Sequence, residues 1–68
     1  MDEELKKQMG RALFHTKLSR VELVDEVAKL NNVSRQAVYA WMRSNDVVRR
    51  SQVYATLEHI IEGSKRGA

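Results

Sequence analysis

Val33-Ser34-Arg35-Gln36-Ala37-Val38-Tyr39-Ala40-Trp41 is the stretch on which the reading of this chain turns. Ser34 suits a helix N-cap, because its hydroxyl can accept a first-turn backbone N–H that has no partner inside the helix. Val33, just before the cap, and Val38, four residues after it, take the places of a hydrophobic staple, which fixes how the chain enters the helix. At ~100° per residue, Ala37, Val38, Trp41 and Met42 fall on one side, and Gln36, Tyr39, Ala40 and Arg43 on the other. The first side is apolar and suits a core. The second is polar and basic with a small residue at its middle, so it can come close to hydrogen-bonding edges such as those of base pairs. A plain amphipathic surface helix has the same period. The rest of the chain must decide between the two.

The preceding segment opens with Ser19-Arg20-Val21-Glu22, a capping box in which each side chain satisfies the other residue's backbone N–H. Leu23, Val24, Val27 and Leu30 form its expected buried stripe. Asn31-Asn32 should break it, since Asn tolerates left-handed backbone and competes for helical hydrogen bonds. Ala28, five residues before Val33, is small enough for two helices to cross closely. A helix, a short turn and a second capped helix over residues 34–44 make the layout of a helix-turn-helix.

Outward from this pair the chain reads as all-α, a compact bundle of about four helices. The first helix is expected over residues 3–15, with Asp2 as N-cap, Glu3 and Glu4 facing the positive end of its dipole, and Leu5, Met9, Ala12 and Leu13 as core stripe. Phe14 lies about 180° from Leu5 on the wheel, so either the helix ends early and folds it inward or it faces a partner. Thr16-Lys17-Leu18 and Ser44-Asn45-Asp46 read as turns, with Val47 and Val48 tucking back against the core. The last helix is expected from Ser51 to Gly63, a glycine suited to a C-cap, with Val53, Tyr54, Leu57, Ile60 and Ile61 inward. Trp41, Val38 and Leu57 should share the core of the second, third and fourth helices. Residues 1–63 thus form one domain, and 64–68 a flexible basic tail.

Sixty-eight residues make a single domain, and one this short buries only ~60% of the surface exposed by its unfolded chain. The absence of cysteine excludes disulfides and thiolate metal sites. His15 and His59 are far apart, neither with a second His one turn away, so no metal and no cofactor is expected. The apolar runs are too short to span a membrane, and Asp2-Glu3-Glu4 is unlike a secretory signal. The expected location is the cytoplasm, at the nucleoid.

The formal net charge is +3, and its distribution says more than its size. Residues 35–50 carry Arg35, Arg43, Arg49 and Arg50 against the single acid Asp46, and Lys65 and Arg66 follow in the tail. The acids gather in Asp2-Glu3-Glu4 and in Glu22, Asp25 and Glu26. Positive charge around the outward-facing helix is what phosphate contact needs, because neutralising phosphates releases counterions.

These residues resemble the phage Cro and lambda-repressor-like family of small transcriptional regulators. The likeness covers Val27-Ala28 through Trp41 and continues more loosely through Arg49-Arg50-Ser51-Gln52-Val53-Tyr54 to Ile61. It implies a helical bundle that binds palindromic double-stranded DNA as a homodimer and represses phage or bacterial promoters. By position, Ser34, Arg35, Gln36, Tyr39, Ala40 and Arg43 would read bases, and Arg20, Arg49, Arg50, Lys65 and Arg66 would meet phosphates. Phe14 and Leu18 are the candidates for the dimer interface. The chain departs from the family where Asn32 replaces the usual turn Gly, Asn31 a Leu, and Val24 a Gln. Ser-Arg-x-x-Val-Tyr-x-Trp helices are similar to those of transposases and invertases as well.

An enzyme is not expected: there is no nucleophile–base pair and no Gly-rich phosphate loop, and so short a chain barely encloses a pocket for a small-molecule substrate. The alternative is a protein-binding module on the same scaffold, such as an antirepressor or adaptor. A protein-binding face should carry large apolar anchors, and of the outward residues only Tyr39 is of that type.

Overall fold

In the computed structural model, which describes residues 3–67, four helices follow one another: α1 (Glu3–Thr16), α2 (Arg20–Asn31), α3 (Arg35–Arg43) and α4 (Val47–Gly67). No strand occurs among the described residues, and the all-α bundle expected from the sequence is the fold. Asp2, the expected cap of α1, lies outside the described residues.

Each junction has a local cause. Thr16 closes α1 by donating from Oγ1 to the Ala12 carbonyl at 2.8 Å and accepting the Leu18 N–H at 3.3 Å. Lys17 then turns the chain at φ 62°, left-handed backbone that a side chain adopts at a cost. At α2 the capping box forms in full: Ser19 Oγ accepts the Glu22 N–H at 3.2 Å, and Glu22 Oε1 accepts the Ser19 N–H at 2.9 Å. Hydrogen bonds to Ser19 hold the Glu22 carboxyl below the usual carboxylate range.

Asn32 supplies the left-handed residue that ends α2, at φ 55° and ψ 47°. Its N–H reaches the Lys29 carbonyl at 3.1 Å, and the Val33 N–H reaches that of Ala28 at 2.9 Å. This is a Schellman ending, and Asn does there what Gly usually does. Ser34 caps α3 as expected, accepting the Ala37 N–H at 3.1 Å.

Two boundaries of α4 differ from the sequence reading. It starts at Val47, not near Ser51, because Asp46 Oδ1 accepts the N–H groups of Val48 and Arg49 at 3.0 and 3.4 Å. An early start turns Val47 and Val48 outward, 65% and 66% exposed, instead of tucking them against the core. At the other end the helix passes through Gly63, so residues 64–67 are helical and Gly63 is no C-cap. Ser64 fastens that last stretch, its hydroxyl donating to the His15 carbonyl at 2.8 Å.

That bond also reports the topology. His15 of α1 meets Ser64 of α4 at one end, while Glu4 and Leu5 share a cleft with Arg50, Ser51 and Tyr54 at the other. Helices α1 and α4 therefore run parallel, and α2 and α3 form the crossover between them. The radius of gyration, 11.0 Å, is about what a globule of this length should have.

The core gathers Leu5, Met9 and Ala12 of α1, Leu23, Val24, Val27 and Ala28 of α2, Val38 and Met42 of α3, and Val53, Leu57 and Ile61 of α4. Leu30 is not in it, being 54% exposed. The stripe of α2 continues from Val27 to Asn31 instead, whose Nδ2 donates to the Val27 carbonyl at 2.9 Å and to Thr56 Oγ1 at 3.0 Å. A polar tie to α4 thus stands where the apolar stripe of α2 would otherwise continue. Trp41 is half-buried at the core's edge rather than inside it. Gln8 is a buried polar residue that apolar patterning overlooked.

Candidate nucleic-acid interface

The turn that joins α2 to α3 spans only Asn32, Val33 and Ser34, so the start of α3 is held by α2 rather than by a long loop. Val33 packs against the core and Val38 is fully buried, the two halves of the staple. With Val38 and Met42 inward, Ser34, Arg35, Gln36, Ala40 and Arg43 are all exposed. The side chains of Arg35, Gln36 and Arg43 make no hydrogen bond or ion pair with other described residues. Tyr39 departs from expectation: it is half-buried and packs on the core, leaving Ala40 to open the middle of the face.

The N-terminal end of α3 is also electrostatically distinct. Its cap is a neutral Ser, and no acid stands in its first turn. Glu3 and Glu4 occupy the first turn of α1, Glu22 that of α2, and Asp46 caps α4. The partial positive charge of a helix N-terminus is therefore compensated in those three and left open in α3, where it favours an approaching anion.

The expected phosphate contacts divide into groups. Arg20 is exposed at the start of α2. Arg49 is exposed at the corner where α3 hands over to α4, its guanidinium 4.8 Å from the Trp41 ring centroid and its Nη1 3.2 Å from Gln52 Oε1. The half-burial of Trp41 thus has a use, since its ring fixes the direction of Arg49. Arg50 is half-buried and lines the cleft with Glu4, facing α1. Lys65 and Arg66 lie about 24 Å along α4 from Arg49 at 1.5 Å per residue, away from α3. Arg35 and Arg43 belong to α3 and Arg49 to the corner after it, whereas Arg20 opens α2 only five residues after His15, whose carbonyl meets Ser64. Among the described residues no contact joins Arg20, Lys65 or Arg66 to the outward face of α3, and Arg50 faces α1.

Of the two interface candidates, Phe14 projects from α1, 69% exposed. Folding inward is ruled out because α1 continues past it to Thr16. Leu18 is half-buried against the core. Among the described residues no group of three or more His, Cys, Asp or Glu could hold a metal ion, and no helix is long and apolar enough to cross a membrane. Comparisons with family models, curated proteins and solved structures return no match.

Proposed function

We propose that this chain is a sequence-specific double-stranded DNA-binding transcriptional regulator, of the phage or bacterial repressor type, that reads the major groove with α3 as a dimer on a palindromic site. The observation that carries the reading is the outward face of α3. A short helix held rigidly by α2 presents Ser34, Arg35, Gln36, Ala40 and Arg43, without intramolecular partners for its long polar side chains, beside an uncompensated helix N-terminus.

Gln36 lies near the N-terminus of α3, where its amide can bond an adenine edge in bidentate fashion. Arg35 flanks it. Arg43, two turns on, reaches a guanine or a phosphate, and Ala40 lets the backbone close on the groove. One such helix covers only a few base pairs, so a two-fold dimer is needed for both affinity and length of site.

A protein-gripping module is the second reading, favoured by the exposed Val47 and Val48 at the α3–α4 corner. The test starts from a random duplex library, from which bound sites are selected. Gln36→Ala is then measured against selected and scrambled duplexes at two salt concentrations. The expected result is a palindromic consensus and a loss of ~1–3 kcal/mol on the selected site, with relaxed preference at one position per half-site. Equal weakening on both duplexes removes α3 as the reader, and binding that ignores salt favours the second reading.

A further inference from the structure

Phe14 is the most exposed of the large apolar residues, and its surroundings are basic. Lys7 and Phe14 lie on the outward face of α1, and the Lys17 ammonium sits 4.8 Å from the Phe14 ring centroid. Lys17 holds that place from left-handed backbone, where Gly would be unstrained. The chain therefore accepts strain at this corner and keeps a charge there. Directly after the corner lies a groove of about 200 Å³ lined by Leu18, Glu22, Asp25, Glu26 and Lys29. It sets three carboxylates and an apolar floor against one ammonium, which Asp25 already pairs at 3.2 Å.

A basic aromatic knob and an acidic groove thus adjoin on one corner of the molecule. We infer that they dock reciprocally between two copies of this chain: Phe14 of each copy enters the groove over Leu18 of the other, and Lys7 and Lys17 face Asp25 and Glu26 across the joint. The two-fold axis passes through the α1–α2 corner. Because knob and groove are neighbours, the contact closes on itself as an isologous pair and leaves neither free to add a third copy. The charges set register and encounter rate, and the buried ring supplies most of the affinity. This inference deepens the dimeric reading above and rests on it for its biological purpose, but self-association can be measured without DNA.

The experiment is sedimentation equilibrium of the full chain without DNA, with folding checked by circular dichroism. The parent should dimerise. Phe14→Glu should stay folded, since the ring is exposed, and should raise the dimer dissociation constant ~30-fold or more, the size of a hot-spot loss. Lys17→Glu and Glu26→Lys should each weaken the dimer up to ~5-fold, as rim charges do, and together should restore it. A parent that remains monomeric at high concentration overturns the proposal. So does a folded Phe14→Glu that associates like the parent, or a double variant no better than its singles. A half-site duplex bound equally by parent and Phe14→Glu shows the reading helix working apart from the joint. A dimer that ignores all duplexes would instead remove the DNA reading and leave the joint standing.

Discussion

Gln8 is the residue whose chemistry is least settled by the fold. It is 2% exposed on the core side of α1, and its Oε1 accepts from Arg11 Nη1 at 3.0 Å, while its Nε2 has no partner. A buried donor left unpaired costs ~1–3 kcal/mol, more than a single hydrogen bond returns. Gln8→Met keeps the length and removes the orphan, so it should raise stability by about 1 kcal/mol in denaturant melts. A clear loss would mean that the amide has a partner in solution. Composition and period could not expose this residue, since a lone Gln inside an apolar stripe reads as a surface position. Trp41 failed in the opposite direction. Apolar bulk made it look central, whereas the α3–α4 corner places it at the rim under Arg49. The exposure of Gln36, Arg35 and Arg43 is legible because Val38 and Met42, one turn apart, have to point inward.

Elements were readable where a side chain dictates the ending. Ser19, Glu22, Asn32 and Ser34 mark the limits of α2 and the start of α3, and all four act in the structure as their chemistry suggested. The ends of α4 were missed for a related reason. Ser44-Asn45-Asp46 read as a turn with the helix beginning at Ser51, whereas Asp46 caps it directly, and Gly63 looked terminal although nothing about its backbone is left-handed. An added Cβ at Gly63 would meet nothing within 4 Å, so packing does not explain the glycine either. The capping box carries a pH signature. Its hydrogen bonds hold the Glu22 carboxyl below its ordinary value of 4.5. A depressed carboxylate contributes stability that is present above its unfolded value and lost as pH falls through the lower folded one. The midpoint of unfolding should therefore fall on acidification below about 4.5. Ser19→Ala should cost ~1 kcal/mol near neutrality, as lost N-caps do, and Glu22→Gln, which removes the titrating carboxyl that the Ser19 backbone N–H holds, should shrink that acid-induced drop. A variant that keeps the full parental pH dependence would assign the drop to other carboxylates.

At the scale of the whole molecule, the parallel α1–α4 pair sets which charges can act together. The sequence places Arg49, Arg50, Lys65 and Arg66 in one basic count, but one 21-residue helix carries all four and distributes them by turn and by length. Arg49 turns toward Trp41 and the end of α3, Arg50 toward Glu4, and the last pair stands at the far end beside α1's terminus. If DNA lies along α3, only Arg49 of these four is within reach of its phosphates. Each phosphate neutralised on B-DNA contributes close to one unit to the slope of log affinity against log salt. Arg49→Ala should therefore reduce that slope by ~1 and weaken cognate and scrambled duplexes alike. Trp41→Leu should produce a smaller change in the same direction, since the guanidinium loses the ring that orients it. Lys65→Ala and Arg66→Ala should leave the slope within error of the parent. The measurement is a salt titration of duplex affinity for the four variants. A slope that falls with Lys65 or Arg66 and not with Arg49 would put the nucleic acid against the far end of α4 and take α3 out of the interface.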